Sequence, residues 1–269
     1  MAVADETAQM MEYSSQLEAK SDELTRTARQ LRRANEKLTQ LSVQKDAFLS
    51  QISHELRTPM TSIRAFSEIL RDTSDLTAEE KSKYSSIIHD EAVRLTRLLD
   101  DLLDLSVLEN GQVVLNTQTG LLSDLLDRAD RAAGVQVGSL QVERERAAEV
   151  IQLTTDLDRL AQVFINLIAN ARKYCDGDPP VLNIRTREVE GQLVIDFIDN
   201  GSGIPPEKQT VIFEKFSRIG ETKAGGAGLG LAICREIMTR LDGSVSYLPG
   251  QKGAAFRVSL PLPRRMAAQ

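Results

Sequence analysis

From Met1 to Thr58 the chain contains neither glycine nor proline, and Met10, Leu17, Leu24, Leu31 and Leu38 recur every seven residues with charged residues between them. A seven-residue apolar repeat without helix breakers predicts a long coiled-coil helix. The companion positions Ser14, Ser21, Ala28, Asn35 and Ser42 are small or polar, so the seam is weak. Such a seam suits either a helix that shifts between two packings or a marginal dimer.

The repeat runs without a break into Phe48-Leu-Ser-Gln-Ile-Ser-His-Glu-Leu-Arg-Thr-Pro-Met60. Leu49, Ile52, Leu56, Pro59, Ile63, Phe66 and Leu70 fall at three- and four-residue steps and form one stripe. His54 lies off that stripe and points at water. An exposed imidazole can attack through its unprotonated nitrogen, and Glu55 beside it can orient the ring and take up the released proton. Pro59 offers no N–H to the carbonyl of Glu55, which predicts that the helix loosens or bends there. The helix is expected to end near Arg71, with residues 72–77 as a turn capping the next one. Tyr84, Ile87, Ile88, Leu95, Leu98, Leu99, Leu102, Leu105 and Leu108 then continue a broad apolar face to a stop at Asn110-Gly111. Two helices with such faces cannot bury them alone, so a homodimer forming a four-helix bundle is expected. His89 has no adjacent proline and no matching acid, and reads as a surface residue.

Four further segments follow in order. In the first, Thr155-Asp-Leu-Asp158 reads as a capping-box start, and Gln162 to Tyr174 repeats at helical spacing. Asn166, Asn170 and Lys173 share one face there, where an amide oxygen can ligate Mg²⁺ and an ammonium can meet phosphate. The second, Leu193 to Pro206, is a buried strand running into Asp199 and a turn carrying Gly201 and Gly203. A carboxylate at a pocket floor can accept from an exocyclic amine such as that of adenine. The third, Ile212-Phe-Glu-Lys-Phe216, spends two aromatics in a chain with 7 Phe and 4 Tyr. The fourth, Gly225 to Ile233, is a run of glycines opening a helix whose free N–H groups can face an anion. It is not a dinucleotide loop, because a polar stretch rather than a buried strand precedes it and the spacing is wrong. No P-loop occurs in the chain.

This set, in this order, resembles the catalytic core of the sensor histidine kinases of two-component systems, over about Gln44 to Pro263. Ser53-His-Glu-Leu-Arg-Thr-Pro59 is similar to the family's phosphoacceptor box and Asn166 to Tyr174 to its asparagine box. Asp199 to Gly203, Phe213 to Phe216 and Gly226 to Gly230 are similar to its first glycine, phenylalanine and second glycine boxes. The resemblance implies autophosphorylation of His54 from Mg·ATP and transfer to an aspartate on a response regulator receiver domain. It implies that Thr58 orients a water that dephosphorylates the regulator, that Asn170 ligates Mg²⁺, and that Asp199 reads adenine. Lys173 and Lys215 or Arg218 would neutralise phosphate charge. The implied nucleotide site is completed by Asn166, Tyr174, Gly201, Gly203, Gly226, Gly228, Leu229 and Gly230. Ala227 stands where the family usually has Thr or Ser, and Cys175 replaces a common hydroxyl residue.

Downstream of the hairpin, strands are expected at 113–115, 141–145, 150–153, 181–188, 192–198, 244–248 and 254–260. Helices are expected near 121–133, 156–174, 205–213 and 228–241. One helix layer on one mixed sheet follows, and the resemblance sharpens this α plus α/β class to the Bergerat ATP-binding fold, with a mobile lid near 215–226. The domains expected are a coiled coil at 1–43, a phosphoacceptor hairpin at 44–111, an ATP-binding domain at 112–263 and a tail at 264–269. A net charge of −6 argues against nucleic acid as a partner. No apolar run approaches the roughly 18 residues that span a bilayer, and no signal-peptide pattern opens the chain. Cys175 and Cys234, without metal spacing or a paired framework, suit the cytoplasm, as for the inner part of a larger sensor. Two other classes compete: an ATPase of the gyrase, MutL and chaperone superfamily, and a scaffold without catalysis. The His54 box and hairpin argue against the first, and the intact Asn170, Asp199 and glycine boxes against the second.

Overall fold

The computed structural model describes residues 2–109, 114–134, 140–145, 150–217 and 227–262. The chain forms two units, Met1–Glu55 and Leu56–Gln269. The first is the N-terminal part of helix α1 (Ala2–Asp72). Leu17, Leu24, Leu31 and Leu38 are each at least 65% exposed in it. These leucines leave the seven-residue apolar stripe in water on the single chain. Hydroxyls along it return to the preceding turn: Thr25 Oγ1 donates to the Ser21 carbonyl and Thr39 Oγ1 to that of Asn35. Helical structure continues through Pro59 without interruption. Proline removes a single N–H, and the flanking turns hold the helix.

In the second unit the remainder of α1 pairs with α2 (Ala78–Glu109), where Phe66 and Tyr84 stack with centroids 5.4 Å apart. The turn between them closes in a reciprocal capping box: Glu80 N–H donates to Thr77 Oγ1 at 3.2 Å, and Thr77 N–H donates to Glu80 Oε2 at 2.9 Å. Burial matches the predicted face only in part. Leu98, Leu105 and Leu108 are buried, whereas Leu99, Leu103 and Val107 remain exposed along a second stripe.

A five-stranded mixed sheet follows, in the order β2 (Gln141–Arg144), β4 (Val181–Val189), β5 (Gln192–Asp199), β7 (Ala255–Pro261), β6 (Ser244–Tyr247). β2 and β4 are parallel and the other pairs antiparallel. A separate antiparallel ribbon joins β1 (Thr117–Leu121) to β3 (Gln152–Asp156). Helices α3 (Leu122–Ala132), α4 (Leu157–Tyr174) and α5 (Gly230–Arg240) pack side by side, α4 in the middle. Leu182, Ile184, Leu193, Ile195, Phe197, Val258 and Leu260 are all buried at alternate positions of their strands, and Phe164 of α4 meets Phe197 of β5 at 5.3 Å.

Three expectations need correction. The strand placed at 113–115 lies later, at Thr117–Leu121, and residue 113 is outside the described residues. Its Thr-Gln-Thr-Gly sequence has almost no apolar content, because the ribbon buries little. The helix expected at 205–213 is a chain of three-residue turns, among them Lys208 N–H to the Pro205 carbonyl and Val211 N–H to that of Lys208. Asp156, not Thr155, caps α4: its Oδ1 accepts from Arg159 N–H at 3.0 Å while Oδ2 accepts from Asn116 N–H at 2.9 Å. The stop at Asn110-Gly111 and residues 218–226 of the lid expected near 215–226 lie outside the described residues.

The C-terminal half of α2 is docked on the helix layer. Asp104 accepts from Arg159 Nη1 at 3.2 Å and from Gln162 Nε2 at 2.7 Å, and the Leu108 carbonyl accepts from Arg240. Asp101 stands beside these groups, and burial, reinforced by Asp104 and Asp100 and opposed by Arg97, pushes its carboxyl up to about 6. In the unfolded chain it ionises at the ordinary 3.8. Above pH 6 both states carry the charge and the fold bears its burial, so this penalty fades as pH falls from about 6 to about 4. Asp101→Asn is therefore expected to raise the melting temperature by a few degrees at pH 8 and by nothing at pH 4. A gain at pH 4 equal to that at pH 8 would contradict the assignment.

Candidate functional site

Helix α4 starts sharply at its Asp156 cap, and that start sets the phase of its polar face. Asn166, Asn170 and Lys173 are all half-buried on it, as their spacing predicts. Asn166 Nδ2 donates to the carbonyl of Gly230 at 3.4 Å and so reaches the first residue of α5. Its side chain also bonds the Cys234 thiol, whose ionisation burial pushes up to about 12 despite that contact. Cys234 is thus an inert core thiol. The Lys173 ammonium stands 4.7 Å from the ring centroid of Tyr174.

Asp199 ends β5 as one of the few buried carboxyls. Its Oδ1 accepts from Gly201 N–H at 3.0 Å and from Ala254 N–H at 2.9 Å. Burial raises its carboxyl above the usual range, the two backbone donors oppose that, and nearby Asp176 adds to the rise. Both bonds fall on Oδ1. Gly253 makes this possible, since a Cβ there would collide with the Asp199 carbonyl and carboxylate. Sequence reasoning missed Gly253 and Ala254. The only local signal is the turn Pro249-Gly-Gln-Lys-Gly253, which does not reveal that it closes on a residue 55 positions earlier. Gly203 takes the left-handed region at φ 80° to turn the chain after Gly201.

The phenylalanine segment packs through Phe213, which meets Phe256 edge-on at 6.3 Å, and Ile212, which is buried. Lys215 forms an ion pair with Glu109 at the end of α2. Gly228, at φ 71°, presses so closely on this segment that a Cβ would lie 2.8 Å from the Ser217 carbonyl oxygen. Leu229 is buried, and α5 begins at Gly230 with no acidic residue in its first turn. The structure thus brings Asn166 to Gly230, and Gly228 to the phenylalanine segment. Arg218 and Gly226, expected at the same site, lie outside the described residues. Thr58 is exposed on α1 in the second unit, whereas exposed His54 and half-buried Glu55 belong to the first. His89 is exposed on α2.

A buried carboxylate at a strand end, an asparagine-bearing helix and a glycine-led helix define a nucleotide-binding α/β domain joined to a helical hairpin. Residues 155–264 match the histidine kinase-, DNA gyrase B- and HSP90-like ATPase family, and residues 44–111 match the His Kinase A (phospho-acceptor) domain. The chain belongs to the sensor histidine kinases, and its C-terminal domain is an ATP-binding one. It is similar to the sensor protein kinase WalK of Staphylococcus saprophyticus, 32% identical over 228 residues, covering 82% of this chain. The chain spans 37% of the length of that relative. Among solved structures it is similar to the Acinetobacter baumannii histidine kinase AdeS, with a TM-score of 0.65 and 25% identity over 78% of this chain and 98% of that one. The histidine kinase ThkA, solved in complex with response regulator protein TrrA, shares the fold at a TM-score of 0.60 and 24% identity, over 80% of this chain and 61% of that one. Among the described residues no helix is long and apolar enough to cross a membrane.

Proposed function

We propose that this chain is the ATP-dependent protein-histidine kinase core of a larger sensor, working from the cytoplasmic side as a homodimer. The observation that carries this is the Asp199 carboxylate, buried and held on one oxygen by two backbone N–H groups; its other oxygen would accept from the adenine amine. The exposed stripes Leu17 to Leu38 and Leu99 to Val107 support the dimer.

The donor set suits Mg²⁺ delivered with ATP. Among the described residues no cluster of three His, Cys, Asp or Glu could form a cage, and Mg²⁺ is commonly held by one or two protein oxygens plus substrate phosphates. Asn170 would supply the amide oxygen, and the ion would spread the charge of the phosphate oxygens. Lys173 neutralises phosphate, joined by Lys215 when it exchanges Glu109 for the nucleotide. Gly228, Leu229 and Gly230 bring the N–H groups of α5 towards the anion. His54 attacks the γ-phosphorus; the N–P bond forms as the bond to the β,γ-bridging oxygen breaks, ADP leaves with that electron pair, and the ring proton passes to Glu55. A receiver-domain aspartate oxygen then takes the phosphoryl group as the N–P bond breaks. Thr58, four residues from His54, holds the water that removes it again.

Incubation with Mg·ATP is expected to give acid-labile, alkali-stable phosphate on the protein. ATP hydrolysis without such phosphate would favour the gyrase-like class, and neither would favour the scaffold. On Thr58→Ala the label is retained while decay of phosphorylated regulator slows at least tenfold; loss of both together would refute the role given to Thr58.

A further inference from the structure

The side chain of Asn200 has no role in the reading above, yet it is more fully bonded than any asparagine assigned to the nucleotide. It sits directly after Asp199, and its side-chain bonds cross to the segment that joins α4 to β4. Its Oδ1 accepts from Val181 N–H at 2.9 Å and from the Cys175 thiol at 3.1 Å, and its Nδ2 donates to the Pro179 carbonyl at 2.8 Å. An amide has two donor hydrogens and two acceptor lone pairs, so three of four valences are used. Its backbone N–H adds a bond to the Val181 carbonyl at 3.1 Å. Two residues on, Ser202 N–H donates to Asp176 Oδ1 at 2.6 Å, and these contacts hold the Asp176 carboxyl below its usual range.

The two strands of chain so joined carry the two ends of the nucleotide site. Segment 175–181 begins where α4 ends, one residue after Lys173-Tyr174. The turn 199–203 carries the Asp199 carboxylate. That carboxylate has its own supports in Gly201 and Ala254, which do not involve Asn200. We infer that Asn200 is a positioning residue whose amide braces the asparagine-bearing helix against the adenine-reading turn and so sets the adenine-to-phosphate span of the site. The Cys175 thiol is part of that brace, which gives this departure from the family's usual hydroxyl a donor role of its own.

The inference rests on the ATP-binding reading, and its test separates the two. Calorimetry on the full chain would compare the β,γ-imido analogue of ATP, with Mg²⁺, against adenosine. If the wild type binds neither, the reading of the site fails and not the brace alone. Given binding, Asn200→Ala is expected to weaken the analogue about tenfold, the loss of roughly one well-made bond network. Adenosine, which needs only the adenine end, should weaken by less than about twofold because Asp199 keeps both backbone donors. A purely structural role would instead lower the melting temperature and weaken both ligands alike. Equal losses, or none, overturn the inference. Should Asn200→Ala fail to fold, Cys175→Ala removes one strut only. It is expected to weaken the analogue two- to threefold and leave adenosine unchanged, and no loss there overturns the inference equally.

Discussion

His54→Gln is expected to leave the protein unable to hold acid-labile phosphate, while its affinity for Mg·ATP stays within about twofold of the wild type. The reason lies in how the residues are distributed. The groups proposed to bind the nucleotide, Asn170, Asp199 and Gly228 to Gly230, belong to the unit Leu56–Gln269, and His54 belongs to Met1–Glu55. Glutamine keeps a polar side chain on the exposed face of α1 but has no nucleophilic nitrogen, because its amide lone pair is delocalised. Labelling on incubation with radioactive ATP, followed by acid and alkali treatment, measures the first effect, and equilibrium titration the second. Persistent acid-labile label would move the acceptor to His89 on α2 and refute the assignment of His54.

Asn170→Asp is expected to cost autokinase activity by at least two orders of magnitude. The half-buried amide becomes a carboxylate, and a full negative charge enters the space proposed for the phosphates. His54 is untouched and remains a competent acceptor. Mixed dimers of Asn170→Asp and His54→Gln subunits regain labelling when the ATP of one subunit serves the histidine of the other, so one experiment also reports the direction of transfer. Wild-type labelling by Asn170→Asp alone would sink the metal assignment. With Asp199 assigned to the adenine, the same reaction is expected to depend on pH. Its carboxyl is raised by burial, so it takes up a proton at a higher pH than an ordinary aspartate, and ATP binding is expected to weaken earlier on acidification.

Much of this architecture was legible because its signals are local and periodic. The heptad from Met10 to Leu38 and the amphipathic run of α4 each repeat within a few turns. The strands at 181–188 and 192–198 emerged within a residue of their observed ends, because each is an apolar run bounded by turns. Periodicity misled where a turn-former imitates a helix start, as at Pro205-Pro206, where bonds close after three residues rather than four. It was silent at β1, whose residues bury almost nothing and therefore carry no pattern.

The sequence by itself determined the order of the chemical groups: an exposed histidine on a coiled-coil helix, an asparagine-bearing helix, a carboxylate at a strand end and glycines opening a last helix. These follow from residue type and spacing alone, while the pairing of the long helix with a partner does not. Only the tertiary structure decided which groups hold which. Ala254 supports Asp199 across 55 residues, Asn166 reaches Gly230 across 64, and Asp104 of α2 holds Gln162 of α4 across 58. Lys215, a phosphate ligand by resemblance, is paired with Glu109, and the amide of Asn200 in its turn accepts from Val181 N–H. Such bonds join a side chain to a backbone or a charge far along the chain. They have no period and no composition, and they exist only once the sheet and its helix layer have brought their ends together.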